Sequence, residues 1–598
     1  MLRGRPKRTR RQLFQLQQPE RDRTPVLLGV FVIFCAAIIV RLFYLQVLES
    51  PTYIALAAGQ RSLVKQLAPE RGEVFVRDIN SGEEYPLAAN RELEFLFAIP
   101  RDIENVDAFV AAIAEPLKLD QPAQDELKGR LHDKSDLYEP IKRQVDPKVW
   151  EELKKLGLKG IDATPEQWRM YPEGDLAAQV IGYVGFDTEK GEKLIGQYGI
   201  EGYFNDLLAG KPGQIQAETD GSGRRIVSAD SKIISAEPGA DVLLTIDRSI
   251  QHLAQEAIKN GVKKYQAQYG DLIVMDPASG DVLAMASAPA YDPNKYGAVK
   301  NLSVFKNTAI FDSYEPGSTF KPIIMASALD AGLGGPESTL PDSGCRRVDQ
   351  FRICNFDERG PGIISWTGAL ERSSNVAMSQ IAEKVGRERL YEYLRKFGLD
   401  ALTGITLDKE AEVSIAPYEG WPDSQLATIG FGQGIATTML HLISAEAVFA
   451  NDGHLMEPHI VKEIRHPDGR VEKIEPKIVS DPIKPSTALT LSAMMVSAVE
   501  NGVADQARID DYIMAGKTGT AQVAGKNGTY DGSKWIASYL GYGPIPNPKV
   551  VIMIRYFNPK TSIHGANTAA PTFKDLAPQV LHYLRIPPNR ESKNAKKR

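Results

Sequence analysis

The chain has 598 residues, 43% apolar and 25% charged, which is the composition of a folded protein with room for two or more domains. Its net charge of −5 hides a lopsided start: residues 1–23 carry eight basic side chains against two acidic ones, a net of +6, so the remainder nets −11. A basic arm of this kind could grip nucleic acid, but the long apolar run directly after it points to a membrane surface and excludes that partner.

From Val26 to Val40 there is no charge, and the apolar run continues through Arg41 to Leu48, 23 residues in all and long enough to cross a hydrocarbon core. Arg41 can snorkel to the outer boundary, Tyr44 suits that interfacial level, and the basic arm sets the orientation by the positive-inside rule. The reading is a cytoplasmic arm over 1–24, a single-pass anchor in the cytoplasmic (inner) membrane over 25–48, and an extracytoplasmic body. A cleaved signal peptide is the competing reading, but the small-x-small site Ala55-Leu56-Ala57 lies well beyond the apolar core. Of the three cysteines, Cys35 is inside the span. Cys345 and Cys354 bracket CRRVDQFRIC outside the cytosol, where either a loop-clamping disulfide or two reduced, buried thiols would fit. The eight histidines have no metal-ligand spacing, His454 and His459 fall on a turn and a strand edge, and no metal or cofactor is expected.

Residues 49–60 continue as helix. A mixed region then runs to about 235, with strands in EVFVRD and LEFLFAIP and a charged helical tract over 138–156. Its glycines make neither a P-loop nor a dinucleotide fingerprint, so 49–235 reads as a non-catalytic module, extended rather than compact. A second domain over 236–590 opens with the strand DVLLTID and a following helix. LIVMDP and DVLAMAS then flank the turn Ala278-Ser279-Gly280 as a hairpin. After Ser318 the chain reads as mostly helical past residue 400, and Gly430–Gly434 introduces a helix, TTMLHLISAEAVFAN, that packs under the site. Three strands come next (IMAGKTGTAQ, WIASYLGYGP, VVIMIRYF), then a last helix over 573–584 that starts only near Leu576, because Pro578 suits a first turn. Strands at both ends with helices between them give an α/β unit whose sheet joins its first and last segments. The tail 591–598 reads as disordered.

Three strings in this domain fit one another chemically. In Ser318-Thr319-Phe320-Lys321 the lysine stands three residues after the serine, on one face of a helix, and burial can lower its pKa until it takes the serine proton. In Ser373-Ser374-Asn375, Ser373 can relay a proton to a leaving group, while Asn375 can orient Lys321 and hold a substrate amide. The plainer use of this string is as a helix N-cap. In Lys517-Thr518-Gly519-Thr520, strand alternation puts Lys517 and Gly519 on one side and Thr518 and Thr520 on the other. Lys517 brings positive charge, Gly519 lets a substrate backbone approach the strand edge, and the threonine hydroxyls suit a terminal carboxylate. The backbone N–H groups of Ser318 and Thr520 are the natural oxyanion hole. Together the strings describe a site that is acylated on serine.

These strings resemble the signature of penicillin-binding proteins and serine β-lactamases, with Ser374 where the signature has Asp. The resemblance to the class B, monofunctional penicillin-binding proteins covers nearly the whole chain. It is carried by Arg71-Gly72, RMYPEGDLAAQVIGYVG from Arg169, GIEGYFNDLLAGKPG from Gly199, VMDPASGDVLAMASAPAYDPN, YEPGSTFK, SSN, GFGQGIATT, GKTGTAQ and AAPTF. Within that family the chain is most like the septal peptidoglycan D,D-transpeptidase of cell division. The resemblance implies a penicillin-binding, β-lactamase-like α/β transpeptidase domain behind an extended, dimerisation-like pedestal and one transmembrane helix. It implies Ser318 as nucleophile, Lys321 as base, stem pentapeptides as substrate and β-lactams as inhibitors. It also implies partners in a glycosyltransferase and other membrane proteins of the division machinery, contacted by the pedestal, with Arg71, Arg169 and Glu201 the first residues to test. Val76 stands where the family often has an acidic residue, and the insert around Cys345 and Cys354 is unusual but is expected to leave the acylation chemistry alone. The sister enzyme of cell elongation shares all of this chemistry. A bifunctional enzyme would need a glycosyltransferase domain that 49–235 does not offer, a β-lactamase would need a placed glutamate and water, and a β-lactam sensor would acylate and stop.

Overall fold

The computed structural model describes residues 24–49, 62–187, 194–218, 232–524 and 530–590. The basic arm, the helix expected over 49–60 apart from its first residue, and the C-terminal tail lie outside the described residues.

The chain forms two compact units. The smaller comprises residues 1–68 and 212–235. In it the helix Thr24–Phe43 passes into a π turn over Tyr44–Leu48, and its 23-residue stretch Val26–Leu48 is long and apolar enough to cross a membrane. The Arg41 guanidinium lies over the Tyr44 ring, 5.5 Å from its centroid. The same unit holds a three-stranded antiparallel sheet with Gly213–Glu218 between Ser62–Leu67 and Lys232–Ile234.

The larger unit comprises 69–211 and 236–598. The strand Asp241–Asp247, read from sequence as the opening of the second domain, does not join the site sheet. It runs parallel to Val74–Arg77 and antiparallel to Val461–Arg465, inside a seven-stranded sheet shared with the N-terminal module. That shared sheet is why residues 69–211 of the module form one unit with the body. Val76 is fully buried in it, a place for an apolar side chain. The expected helix over 138–156 is a strand, Glu139–Val145, followed by a helix, Pro147–Lys155. Asp146 caps that helix by accepting from Lys148 N at 2.9 Å, and Pro147 is pre-set for its first turn. The module has its own small core around Leu96, Val110, Ile113, Leu131 and Leu153.

The site sheet has five antiparallel strands: β1 (Tyr269–Met275), β2 (Val282–Ala288), β3 (Ala515–Ala524), β4 (Tyr530–Gly543) and β5 (Val550–Phe557), in the order β2-β1-β5-β4-β3. The early hairpin thus pairs with the late strands, and β3 is an edge. Ile273, Met285, Leu540 and Met553 face one core, Val274, Tyr539, Ile552 and Ile554 the other. The second face is covered by α1 (Arg248–Tyr265). On the first lie α2 (Lys321–Asp330), α3 (Asn375–Val385), α4 (Met439–Ala447) and α5 (Pro485–Asn501). The last helix, α6 (Ala569–Tyr583), also covers the second face; it starts well before Leu576 and carries Pro578 in its interior. Burial of Phe573, Leu576, Ala577, Val580 and Leu581 holds the helix through the proline. The hydrogen bond that Pro578 cannot donate would go to Lys574, on an exposed turn where the loss costs least. The stretch after Ser318 is not wholly helical either: two short antiparallel pairs interrupt it, Thr339–Asp342 with Gly362–Ser365 and Cys345–Val348 with Phe351–Cys354.

Candidate active site

Ser318 lies in a 3-10 turn, Gly317–Phe320, that runs directly into α2. In a 3-10 turn residues i and i+3 eclipse, so Lys321 stands over Ser318. Pro322 costs nothing there, because first-turn N–H groups have no helical acceptor. Lys321 is fully buried, and its Nζ donates to Ser373 O at 2.5 Å, Asn375 Oδ1 at 2.8 Å and Ser373 Oγ at 3.1 Å. Burial, reinforced by the Lys517 charge, pushes Lys321 well below the usual lysine range, and Asp342 opposes the shift. An amine kept neutral in this way has a lone pair for the Ser318 proton.

The segment 373–375 joins the helix Trp366–Glu371 to α3. Ser374 is the N-cap of α3, its Oγ accepting from Ala377 N at 2.9 Å, so the capping reading belongs to the middle residue. Ser373 has φ +55°. Its N–H donates to Leu370 O at 3.2 Å and that of Ser374 to Ala369 O at 2.9 Å, the Schellman closure of the preceding helix. Ser373 therefore occupies the left-handed position that glycine favours. Its Oγ also accepts from Lys517 Nζ at 2.9 Å, so one hydroxyl touches both lysines.

On β3, Thr518, Thr520 and Gln522 line a cavity, while Lys517 points inward and is fully buried. Burial brings Lys517 down to about 7, against a countering pull from the Glu446 carboxyl. Gly519 departs from its expected use. A Cβ there would lie 2.3 Å from Ser538 Oγ and 2.8 Å from Thr319 Cγ2, so its open space is filled by the protein and seats the serine turn against the strand. Gly317 closes the same seam: a Cβ on it would lie 3.0 Å from Thr520 O, which sets the serine turn beside the exposed edge of the sheet.

The cavity has a volume of about 1140 Å³ and is lined by Ser318, Ser373, Asn375, Thr518 and Thr520. Arg352, Phe356, Glu358, Trp535 and His564 also line it. Cys345 and Cys354 face each other across their strand pair as a disulfide, which settles the alternative left open by the sequence. Contrary to expectation, this insert bears on the chemical strings. Cys354 O accepts from Asn375 Nδ2 at 2.9 Å, and Asn355 Oδ1 accepts from Val376 N and Ser374 Oγ, both at 3.1 Å. One Asn375 N–H is thereby taken by the insert. Gln522 was within reach of sequence reasoning, since alternation puts it on the face of Thr518 and Thr520. Cys354 contributes a backbone carbonyl, which no residue pattern announces.

Arg71, Arg169 and Glu201 do come together, but not as a docking surface. Glu201 is fully buried, Arg71 Nη2 and Arg169 Nε each lie 2.6 Å from its carboxylate, and the arginine side chains are only 13% and 4% exposed. Burial would raise the Glu201 carboxyl, but the two guanidinium charges prevail and hold it below its ordinary range. The triad is an internal clamp. His454 and His459 pair with Asp481 at 2.6 Å and Asp281 at 2.7 Å.

Residues 270–577 match the penicillin-binding protein transpeptidase domain and 66–244 the penicillin-binding protein dimerisation domain. The chain is 32% identical over 574 residues to the probable peptidoglycan D,D-transpeptidase PenA of Neisseria gonorrhoeae, covering 94% of this chain and 93% of the relative. It is 29% identical over 571 residues to stage V sporulation protein D of Bacillus subtilis (strain 168), covering 94% and 86%. Among solved structures, penicillin-binding protein 3 of Mycobacterium tuberculosis in complex with aztreonam is similar, with a TM-score of 0.67, 25% identity, and coverage of 88% of this chain and 98% of that one. The chain belongs to the class B penicillin-binding proteins and is a peptidoglycan D,D-transpeptidase.

Proposed function

We propose that this enzyme cross-links stem peptides through an acyl-enzyme on Ser318 during septal wall synthesis. The observation that carries the chemistry is the fully buried Lys321 amine, held between Ser373 and Asn375 three residues after the serine. Lys321 Nζ takes the Ser318 proton as Oγ attacks the penultimate D-alanine carbonyl of a stem pentapeptide. The N–H groups of Ser318 and Thr520 receive the developing oxyanion. Collapse breaks the peptide bond, the leaving amine gains its proton through Ser373, and the terminal D-alanine departs. Lys517 charge with the Thr518 and Thr520 hydroxyls holds the terminal carboxylate of the donor. The amine of a second stem then attacks the ester, its proton passes to Lys321, and Ser318 leaves with a proton as the cross-link forms. β-Lactams acylate the same serine, in line with the aztreonam complex of the similar mycobacterial structure.

The layout proposed around this site is an arm over 1–24, an anchor over 25–48, a pedestal over 49–235, a transpeptidase domain over 236–590 and a tail over 591–598. The arm's charge of +6 favours a cytoplasmic N-terminus and an extracytoplasmic site. A septal role, with a glycosyltransferase and other division proteins as partners, is supported by the resemblance of the sequence to the septal enzyme and by a pedestal sequence without an enlarged insertion. Fluorescent-penicillin labelling of the wild type and Ser318→Ala, paired with cross-linking of nascent glycan, tests the chemistry. Label without cross-link would make the protein a sensor. Lateral-wall rather than midcell localisation of the full chain would assign it to elongation instead.

A further inference from the structure

Asp342 ends the strand Thr339–Asp342 and lines the cavity of Ser318, yet it is only 1% exposed. A carboxylate so buried needs both oxygens bonded. Ser374 Oγ donates to its Oδ2 at 2.6 Å, Gly344 N to its Oδ1 at 2.9 Å, and Asn355 Nδ2 to both oxygens, at 3.0 and 2.9 Å. The first of these has the length of a charge-assisted bond. The acylation steps do not use this carboxylate, but both of its side-chain partners lead to Asn375. Ser374 precedes Asn375 in the chain and caps α3. Asn355 follows Cys354, whose carbonyl accepts from Asn375 Nδ2 at 2.9 Å, and its own Oδ1 accepts from Val376 N at 3.1 Å. The carboxamide held from these two sides presents its Oδ1 to Lys321 Nζ at 2.8 Å.

We propose that Asp342 is a positioning residue of the acylation site: it ties Ser374 to Asn355 and so fixes the Asn375 carboxamide against the Lys321 amine. The proposal rests on the roles assigned to Ser318 and Lys321 under the proposed function. Each group bonded to the carboxylate donates to it, so the arrangement needs an acceptor on both oxygens. Asp342→Asn keeps the shape and turns one oxygen into a donor. In either orientation the new amide meets Asn355 Nδ2 donor to donor, and turning over the Asn355 amide moves the clash to Val376 N. Asn355→Asp alone sets two carboxylates face to face. The double variant Asp342→Asn/Asn355→Asp restores the pair with donor and acceptor exchanged. The new amide donates to the new carboxylate, which still receives Ser374 Oγ and Val376 N.

The test labels the full chain in detergent micelles with a fluorescent penicillin. The limiting acylation rate constant and the half-saturating concentration are measured per folded molecule, beside a thermal melt, for the wild type, the two single variants and the double. A displaced reacting group costs about 10²-fold, and each single variant should lower the limiting rate constant by about that factor. The double variant should regain about tenfold, the size of a coupling between bonded neighbours. The half-saturating concentration should hold, because the probe's carboxylate is assigned to Lys517, Thr518 and Thr520. A carboxylate that served only the end of α3 would lower the melting temperature and leave the rate constant of folded molecules unchanged. That result, a loss confined to the half-saturating concentration, or a double variant no faster than the singles overturns the proposal and leaves the catalytic reading standing. Loss of folding in both single variants overturns it too, because the carboxylate is then required by the fold and not by the site. Labelling that survives Ser318→Ala overturns the catalytic reading and this proposal with it.

Discussion

Ser373 offers a test that separates backbone strain, read in stability, from the proton relay, read in activity. Its φ of +55° puts an L side chain in the left-handed region, at the helix-end position where glycine is the usual residue. That conformation costs a non-glycine residue about 1–2 kcal/mol, while glycine's greater freedom in the unfolded chain returns about 0.5–1 kcal/mol. Ser373→Gly and Ser373→Ala both remove the hydroxyl that touches Lys321 and Lys517, and only the glycine relieves the backbone. The difference between the two variants cancels the lost hydrogen bonds, so the glycine variant is expected to be the more stable by about 0.5–1 kcal/mol. Both lose the proton relay, and the acylation rate should fall by about 10²–10⁴-fold in each. Thermal denaturation of the two variants side by side reads the first quantity, and the rate of fluorescent-penicillin labelling reads the second. Equal stability of the alanine and glycine variants would refute the backbone strain, and near-normal labelling of either would refute the relay.

Lys321→Met should abolish labelling while leaving the chain folded, since it replaces a buried amine with an apolar chain of similar length; retained labelling would remove Lys321 as the base. Lys517 sits at about 7 in the folded state against 10.5 when exposed, so the unfolded chain binds a proton that the folded one lacks. Stability should therefore rise with pH from about 7 towards 10.5, and a melting series of Lys517→Met against the wild type should show a shallower rise in the variant. Arg169→Ala leaves Glu201 buried with one guanidinium fewer and should cost about 3–5 kcal/mol in denaturation, with an unchanged labelling rate per folded molecule. Gly519→Ala pushes a methyl into Ser538 and Thr319 and should destabilise by about 1–3 kcal/mol, with slowed acylation from a displaced serine turn.

The parts of this protein that were legible in the sequence are those in which one residue type answers one local demand. A serine and a lysine three apart, the alternation of Thr518, Thr520 and Gln522 along a strand, and an apolar run of membrane length interrupted only by Arg41 are each read directly from the sequence. What stayed hidden depends on partners distant in the chain. Glu201 looks like a surface acid until Arg71, in the segment before the strand Val74–Arg77, and Arg169, on the strand Ile161–Met170, close over it. DVLLTID has the pattern of any buried strand, and only the pairing energies of Val74–Arg77 and Val461–Arg465 decide which sheet it enters. Pro578 forbids a helix interior locally, yet five buried apolar side chains around it outweigh one missing hydrogen bond. The insert was hidden for the same reason. A polar loop between two cysteines carries no chemical signature of its own, but the disulfide holds its strand pair closed and leaves the Cys354 carbonyl to receive the Asn375 amide. Asn375 then cannot rotate without giving up that bond or the one from Lys321, so a segment with no catalytic side chain fixes the geometry of one that has.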